Sequence, residues 1–558
     1  MKHTILSLSH VSFTYPGDLT PVLSDISLSV KEGEIVLLCG ASGCGKSTLL
    51  SHMKKNQIPF GKGSGDIVFD GTAIEEMSDF DSAREIGFVG QDPDSSIATD
   101  QVWHELAFGL ENLGVPTDEI RQRIAEISEY CGITSWFNKN IDELSGGQKQ
   151  ILNLASVLVM RPRLIILDEP TSQMDPIGVR RFVDLIVRLN RELGITIILC
   201  EQHLEEILPI ADSLLIMDQG KLLAYGPVSM AHKLMQSCRD KTKKPLAVEG
   251  AMPSALQVFI GHPFPKEASA SPWSIRMGRN LLKTYAPSAT DMGSSLRPVR
   301  TAEKNADASL VAKDLCFSYQ KDLPILSHLS LTLHKGECYG LLGGNGSGKS
   351  TALKVIAGIL KKKKGKVLSD QTIFYLPQNP KDLFTEVTVE DELAEAFWGH
   401  TMSDSEKEER VFYMLQKMEL TPYKDSNPMD LSGGQRQRLA LGKLLLLKPD
   451  ILLLDEPTKG LDSLFKDKLI SLLRDLLSKQ MSLLLVSHDL EFAARVCDRV
   501  GLLFQGQITS EGTVREFFTE NSFYTTGARR MSQNILPDCI LPEDILNRLS
   551  RGGEHEII

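Results

Sequence analysis

One segment occurs twice in this chain. LSGGQKQILNLASVLVMRPRLIILDEPTSQMD runs from Leu144 to Asp175, and LSGGQRQRLALGKLLLLKPDILLLDEPTKGLD from Leu431 to Asp462. The two align without a gap at an offset of 431 − 144 = 287 residues. Other landmarks pair around them: Lys46 with Lys349, Gln91 with Gln378, Ser145 with Ser432, Glu169 with Glu456 and His203 with His488, at offsets of 303, 287, 287, 287 and 285. A period this long exceeds the roughly 20–50 residues of solenoid units. The chain, 558 residues long, also exceeds what one hydrophobic core usually serves. The reading is a duplicated domain.

The duplication places one domain at residues 1–240, a joint at 241–306, a second domain at 307–530 and a tail at 531–558. The joint is rich in Pro, Ser, Ala and Gly without sustained periodicity, which reads as a linker with a few docked turns. The tail reads as a small helical appendage with a frayed acidic end. Copy one is longer by 303 − 287 = 16 residues between the paired lysine and glutamine. The polar, turn-rich NQIPFGKGSGDIVFDGTAIEEMSDFDSAREIGF there reads as a surface elaboration.

A net charge of −11 argues against nucleic acid or an anionic membrane as the main partner. The nine cysteines lack CxxC pairs or metal-ligand spacing, as expected of reduced cytosolic thiols. The N-terminus lacks a secretory apolar core, and no apolar run is long enough to span a bilayer.

In each copy a short apolar run leads into a glycine loop and then a helix start: EIVLLCGASGCGKSTLL at Glu34–Leu50 and ECYGLLGGNGSGKSTAL at Glu337–Leu353. The loops fit GxxxxGK[ST]: Gly40, Ala41, Ser42, Gly43, Cys44, Gly45, Lys46 and Ser47, then Gly343, Gly344, Asn345, Gly346, Ser347, Gly348, Lys349 and Ser350. The glycines let backbone N–H groups turn around an oxyanion, and the helix N-terminus adds its dipole. The lysines then reach β- and γ-phosphates, and the serines offer a hydroxyl to Mg²⁺.

Two further apolar strands, LIILDEP and ILLLDEP, end in paired carboxylates. Asp168 and Asp455 are placed to hold a metal-bound water, and Glu169 and Glu456 to take a proton from an attacking water. His203 and His488 end the strands ITIILCEQH and SLLLVSHD and read as γ-phosphate sensors. Gln91 and Gln378, each two residues before a proline, suit a metal and water contact.

With these motifs in hand, LSGGQ upstream of a DEP strand resembles the signature of ATP-binding-cassette (ABC) ATPases in both halves. The resemblance implies an α/β chain of two P-loop NTPase domains in tandem. Each would have a RecA-like core, an antiparallel β subdomain and an α-helical signature subdomain. It implies ATP and Mg²⁺ as cofactors and phosphate loops extending to Thr48 and Thr351. Metal contacts would come from Ser47, Gln91 and Asp168, and from Ser350, Gln378 and Asp455. Tyr15 and Tyr319 match the family's adenine-stacking aromatics, although their period-two strands suit a core role equally. In the family the signature turn closes on the other copy's nucleotide. Ser145, Gly147 and Gln148 would thus complete one site, and Ser432, Gly434 and Gln435 the other, with both sites competent. Glu169→Gln or Glu456→Gln is expected to cut hydrolysis at its own site. EQHLEE around His203 and Met174 in the turn SQMD depart from the family pattern and put the equivalence of the two sites in question. Cys44 is either a tolerated small residue or a thiol that ATP would shield.

The run QDPDSSIATDQVWHELAFGLENLGV at Gln91–Val115 is similar to energy-coupling-factor (ECF) cassettes, and the tail also resembles fused double cassettes of that group. This implies a peripheral ATPase on the cytoplasmic face of the cell membrane. It would drive an integral-membrane scaffold (T) subunit and a substrate-binding (S) subunit that imports a vitamin, a vitamin precursor or a transition-metal ion. Asp92, Asp94 and Asp100 are either contacts for basic scaffold helices or solvated loop acids. The alternative is a soluble tandem-cassette translation factor on the ribosome.

Overall fold

The computed structural model describes residues 3–552 apart from 173, 244–245, 247, 261–270, 286–306, 321–322 and 400–401. Backbone proximity divides the chain into two units, Met1–Leu281 and Leu282–Ile558.

In the first unit one sheet runs in the order Lys221–Pro227, Ser213–Asp218, Ile35–Gly40, Thr196–Cys200, Leu164–Asp168, Ile86–Val89. All neighbours pair parallel except the first two. Its central strands IVLLCG, TIILC and LIILD are buried almost throughout, because both faces of the sheet are covered. Alternate residues of one strand feed two cores. Ile35, Leu37 and Cys39 pack with Leu154, Phe182 and Leu189. Val36 and Leu38 face Leu49, Leu50 and an antiparallel sheet built on Thr4–Thr14, paired with Leu23–Lys31 and Lys62–Phe69. The helices Val102–Asn112, Thr117–Tyr130 and Gly146–Leu158 share a third core through Leu106, Leu110, Ile120, Ile124 and Leu152.

The second unit repeats the plan. Its mainly parallel sheet runs Ile373–Leu376, Ile451–Asp455, Ser482–Val486, Cys338–Leu342, Arg499–Phe504, Gln507–Thr513. Ala308–Phe317 is flanked by Leu326–His334 and Lys364–Leu368 in the antiparallel sheet. Helices Val389–Ala394, Asp404–Lys417 and Gly433–Leu446 follow. Both units therefore carry the three-part α/β architecture expected of them.

Three expectations about boundaries need revision. The first unit continues past residue 240: Leu246, Val248, Met252 and Leu256 are buried in its core. Ser254, at the start of the helix Ser254–Ile260, donates its N–H and hydroxyl to Glu205 Oε2 at 2.7 and 3.0 Å. Much of the remaining joint lies outside the described residues. The tail is part of the second unit: Ile540 and Leu541 are buried with Val514, Phe517 and Phe518. Asp544 Oδ2 accepts from the N–H groups of Ile540 and Leu541 at 3.0 and 3.1 Å, fixing the turn into the helix Pro542–Gly552. Its expected acidic end falls outside the described residues. The polar insertion of copy one is only partly surface. Its strand Lys62–Phe69 is a member of the antiparallel sheet, and Phe69, Ile74 and Met77 are buried.

Candidate active sites

The C-terminal ends of three adjacent parallel strands meet at one edge of each unit, where loops of an α/β sheet form ligand sites. The strand Ile35–Gly40 gives way to the glycine loop and the helix Lys46–His52. Gly45, the residue before that helix, has φ 97°, and a Cβ there would stand 2.8 Å from the Val22 carbonyl oxygen. Gly348, before the helix Lys349–Ile356, has φ 101°, and a Cβ there would stand 3.0 Å from the Ile325 carbonyl oxygen. Only glycine fits either place. Lys46 Nζ donates to the carbonyls of Gly40 and Ala41 at 3.0 and 2.8 Å. Lys349 Nζ does the same to Gly343 and Gly344, both at 2.9 Å. Each lysine is thus held across its own loop.

The tyrosines lie over these loops. Tyr15 OH is 3.1 Å from Thr48 Oγ1, and Tyr319 OH is 3.4 Å from Thr351 Oγ1. Each ring meets a phenylalanine edge-on, Phe13 or Phe317, at 4.9 Å. Tyr15 is half-buried and packs against the core that holds Phe13, whereas Tyr319 is 62% exposed. Cys44 is buried in the first loop. Burial pushes its thiol up, against the pull of Lys46. A buried, protonated thiol is a poor nucleophile. Alkylation of Cys44 by iodoacetamide at neutral pH is expected to be slow, and slower with ATP; peptide mapping by mass spectrometry checks both.

The acids Asp168 and Asp455 end their strands beside the loop serines. Burial raises both carboxyls, opposed by a hydroxyl bond from Ser47 or Ser350. Ser350 Oγ donates to Asp455 Oδ1 at 3.0 Å, and Tyr375 OH to Oδ2 at 2.9 Å. Phe88 occupies the matching place in copy one and offers no hydroxyl; Asp168 Oδ1 is buried without a hydrogen bond among the described residues. The next residues, Glu169 and Glu456, are buried and adopt left-handed backbone, φ 47° and 52°. For a non-glycine residue this conformation is strained, and such strain concentrates at functional sites.

The third strand end corrects the sequence reading. Asp168 pairs with Cys200 in one sheet and Asp455 with Val486 in the other. The matching N–H of Glu169 donates to Cys200 O at 3.0 Å, and that of Glu456 to Val486 O at 2.9 Å. This register equates Gln202, not His203, with His488. The return from one strand to the next is one residue shorter in copy two: 196 − 168 = 28 against 482 − 455 = 27. His203 is exposed and takes the place of Asp489, which caps the helix Leu490–Val496. Gln202 Nε2 donates to Glu169 Oε1 at 2.7 Å, while Gln91 Nε2 donates to Oε2 at 2.8 Å. In copy two the His488 N–H donates to Glu456 Oε2 at 3.0 Å, and His488 Nε2 lies 3.2 Å from Oε1. Among the described residues no hydrogen bond joins Gln378 to Glu456. Burial pushes the Glu456 carboxyl up to about 8.

Sequence reading also passed over Glu201. It is buried, and its Oε1 accepts the N–H and hydroxyl of Thr171 at 2.8 and 2.7 Å, pinning the turn beyond Glu169. Burial pushes this carboxyl up to about 8 from an ordinary 4.5, against the two Thr171 bonds. Folding therefore favours the protonated acid. Its contribution is complete below the unfolded value of about 4.5 and is lost as pH rises through about 8. Glu201→Gln, neutral at every pH, is expected to flatten the fall in urea-unfolding midpoint across this range. An unaltered slope would mean that Glu201 is ionised in the fold.

Each signature turn opens a helix, as its serine and glycines suggest. Ser145 caps Gly146–Leu158: its Oγ accepts from Gln148 N–H at 3.3 Å while Gln148 Oε1 accepts from Ser145 N–H at 2.9 Å. Ser432 and Gln435 make the same box on Gly433–Leu446, at 3.3 and 2.8 Å. Gly434 is hemmed by the Gly460 carbonyl, 2.7 Å from where a Cβ would stand, whereas a Cβ on Gly147 would meet Met174 at 3.6 Å. Asp175 and Asp462 cap the helices that follow the carboxylate strands. Of the loop acids, Asp94 is paired with Lys149, and Asp92 caps the short turn Pro93–Ser95.

Two phosphate loops, each beside a buried Asp–Glu pair on a parallel sheet, define a tandem ATPase of the nucleotide-binding-loop class. The ABC transporter family model matches residues 23–172 and 326–459. The chain is 37% identical to an ABC transporter ATP-binding protein, so named, of Bacillus thuringiensis subsp. konkukian, across 96% of this chain and 97% of that one. A similarly named protein of Methanosarcina mazei is 33% identical over 92% and 90% of the two chains. The archaeal ribosome recycling factor aABCE1, solved in complex with the ribosomal stalk protein aP1, covers 92% of this chain with a TM-score of 0.58 and 20% identity, a likeness of fold. The chain belongs to the ABC transporter family. It is an ATP-binding protein with two cassettes, and its reaction is the hydrolysis of ATP to ADP and phosphate.

Proposed function

We propose that the chain is the energy-coupling ATPase of an ECF-type importer. The observation that carries this reading is the run Gln91–Val115, which is similar to ECF cassettes; the transporter names of the relatives support it. No helix among the described residues is long and apolar enough to cross a membrane, so transport would pass through partners: a membrane scaffold and a substrate-binding subunit. The chain would sit peripherally on the cytoplasmic face.

The chemistry follows from the strand ends. Lys46 and Lys349, released from their loop carbonyls, neutralise β- and γ-phosphate charge. The pairing of a serine hydroxyl with a buried Asp, and the unbonded Oδ1 of Asp168, form an oxygen-donor set that suits a hard divalent cation. Ser47, Gln91 and Asp168, or Ser350, Gln378 and Asp455, would hold Mg²⁺, which when bound offsets charge on the phosphates. Glu456 or Glu169 takes the proton of a water whose oxygen bonds to the γ-phosphorus as the bond to ADP breaks. His488 orients Glu456 and the γ-phosphate. By the family resemblance, Ser145, Gly147 and Gln148 serve the nucleotide of copy two, and Ser432, Gly434 and Gln435 that of copy one. Tyr15 and Tyr319 stack the adenines.

Affinity purification from detergent-solubilised membranes tests the importer reading. Recovery with a polytopic scaffold and a small membrane subunit is the expected result. Recovery with ribosomes and no membrane protein would replace it with the translation-factor alternative.

A further inference from the structure

The two glutamates are held in different ways. Both oxygens of Glu169 accept side-chain amides, Oε1 from Gln202 and Oε2 from Gln91. Among the described residues Glu456 accepts only at Oε2, from the His488 backbone. Its Oε1 is buried and, among the described residues, has no hydrogen-bond partner; His488 Nε2 stands 3.2 Å from it, an ion-pair contact when the imidazole is protonated. A base must offer an oxygen to the water it deprotonates. Glu456 has one ready. Each oxygen of Glu169 already accepts an amide, which leaves it one lone pair for water and lowers its basicity, and an amide, unlike an imidazole, can neither take up nor pass on a proton.

We infer that Gln202 is a positioning residue that makes the nucleotide site of copy one slow, so that it retains ATP while the site of copy two turns over. This rests on the reading of Glu169 and Glu456 as general bases, and it replaces the expectation of two competent sites. The neighbouring difference points the same way. Tyr375 pins Asp455 in copy two, whereas Phe88 leaves Asp168 Oδ1 without a bond in copy one. Copy one thus lacks both the imidazole and the phenol that copy two has beside its carboxylates, while its phosphate loop is complete. That combination preserves binding and weakens the chemical step.

The test follows bound ATP in the full-length chain. Protein loaded with radiolabelled ATP, freed of unbound nucleotide and started with Mg²⁺, is quenched over time. The wild type is expected to hydrolyse its ATP in two phases of similar amplitude. His488→Gln should slow the fast phase about 10²-fold with KM for ATP unchanged. Gln202→His should speed the slow phase roughly tenfold, the effect of about 1.4 kcal/mol at the barrier. The double swap, with both substitutions, should regain a fast phase, which separates an effect on the chemical step from damage to the fold. A single phase in the wild type, or a Gln202→His chain that binds ATP and keeps the slow phase unaltered, overturns the inference. Glu456→Gln with an intact fast phase would instead remove the general-base reading beneath it.

Discussion

Replacing Glu456 by Gln is expected to lower steady-state ATP turnover by about 10²–10⁴-fold, with nucleotide still bound. The substitution keeps size and shape at a buried position, and the amide oxygen can still accept the His488 N–H. What is lost is the one atom without a bond, Oε1, as a proton acceptor. Phosphate release at saturating ATP, together with retention of labelled ATP on the protein, measures both halves of the expectation. A variant that keeps more than roughly a tenth of wild-type turnover would fall outside any general-base effect of this size.

The second large effect lies in a buried core rather than in a phosphate loop. Leu256→Ala is expected to destabilise the first unit by about 2–5 kcal/mol, and Leu256→Asp by more, since an unpaired charge would be buried. Leu256 is fully buried with Leu246, Val248 and Met252 among residues of the parallel-sheet core. Urea unfolding of the full chain, read at its first transition, gives the measure. If residues 246–260 were a tether, neither substitution would move the midpoint.

The parallel sheets were legible because strands covered on both faces must be apolar at every position. IVLLCG, LIILD and TIILC announce themselves without help from neighbours. The glycine loops were legible because left-handed backbone and close carbonyls admit one residue type. The position of the switch residue was not. His203 drew the eye by its letter, but its role depends on strand register, and register is set by a helix and loop one residue longer in copy one than in copy two. The drop in offset from 287 to 285 was the available signal; counting from the strand ends assigns only one of those two residues to the strand return. The joint and tail misled for a related reason. Their helices are short, and Ile540, Leu541 and Leu256 are buried against distant parts of the chain that local periodicity does not report.

The bent backbone at Glu169 and Glu456 carries a cost that glycine or asparagine would relieve by roughly 1–2 kcal/mol. Breeding the chain for heat resistance alone would therefore press on these two acids as on the other left-handed non-glycine positions, and survivors that replaced them would be inert. Durability and work are in direct competition at a single dihedral angle in each half.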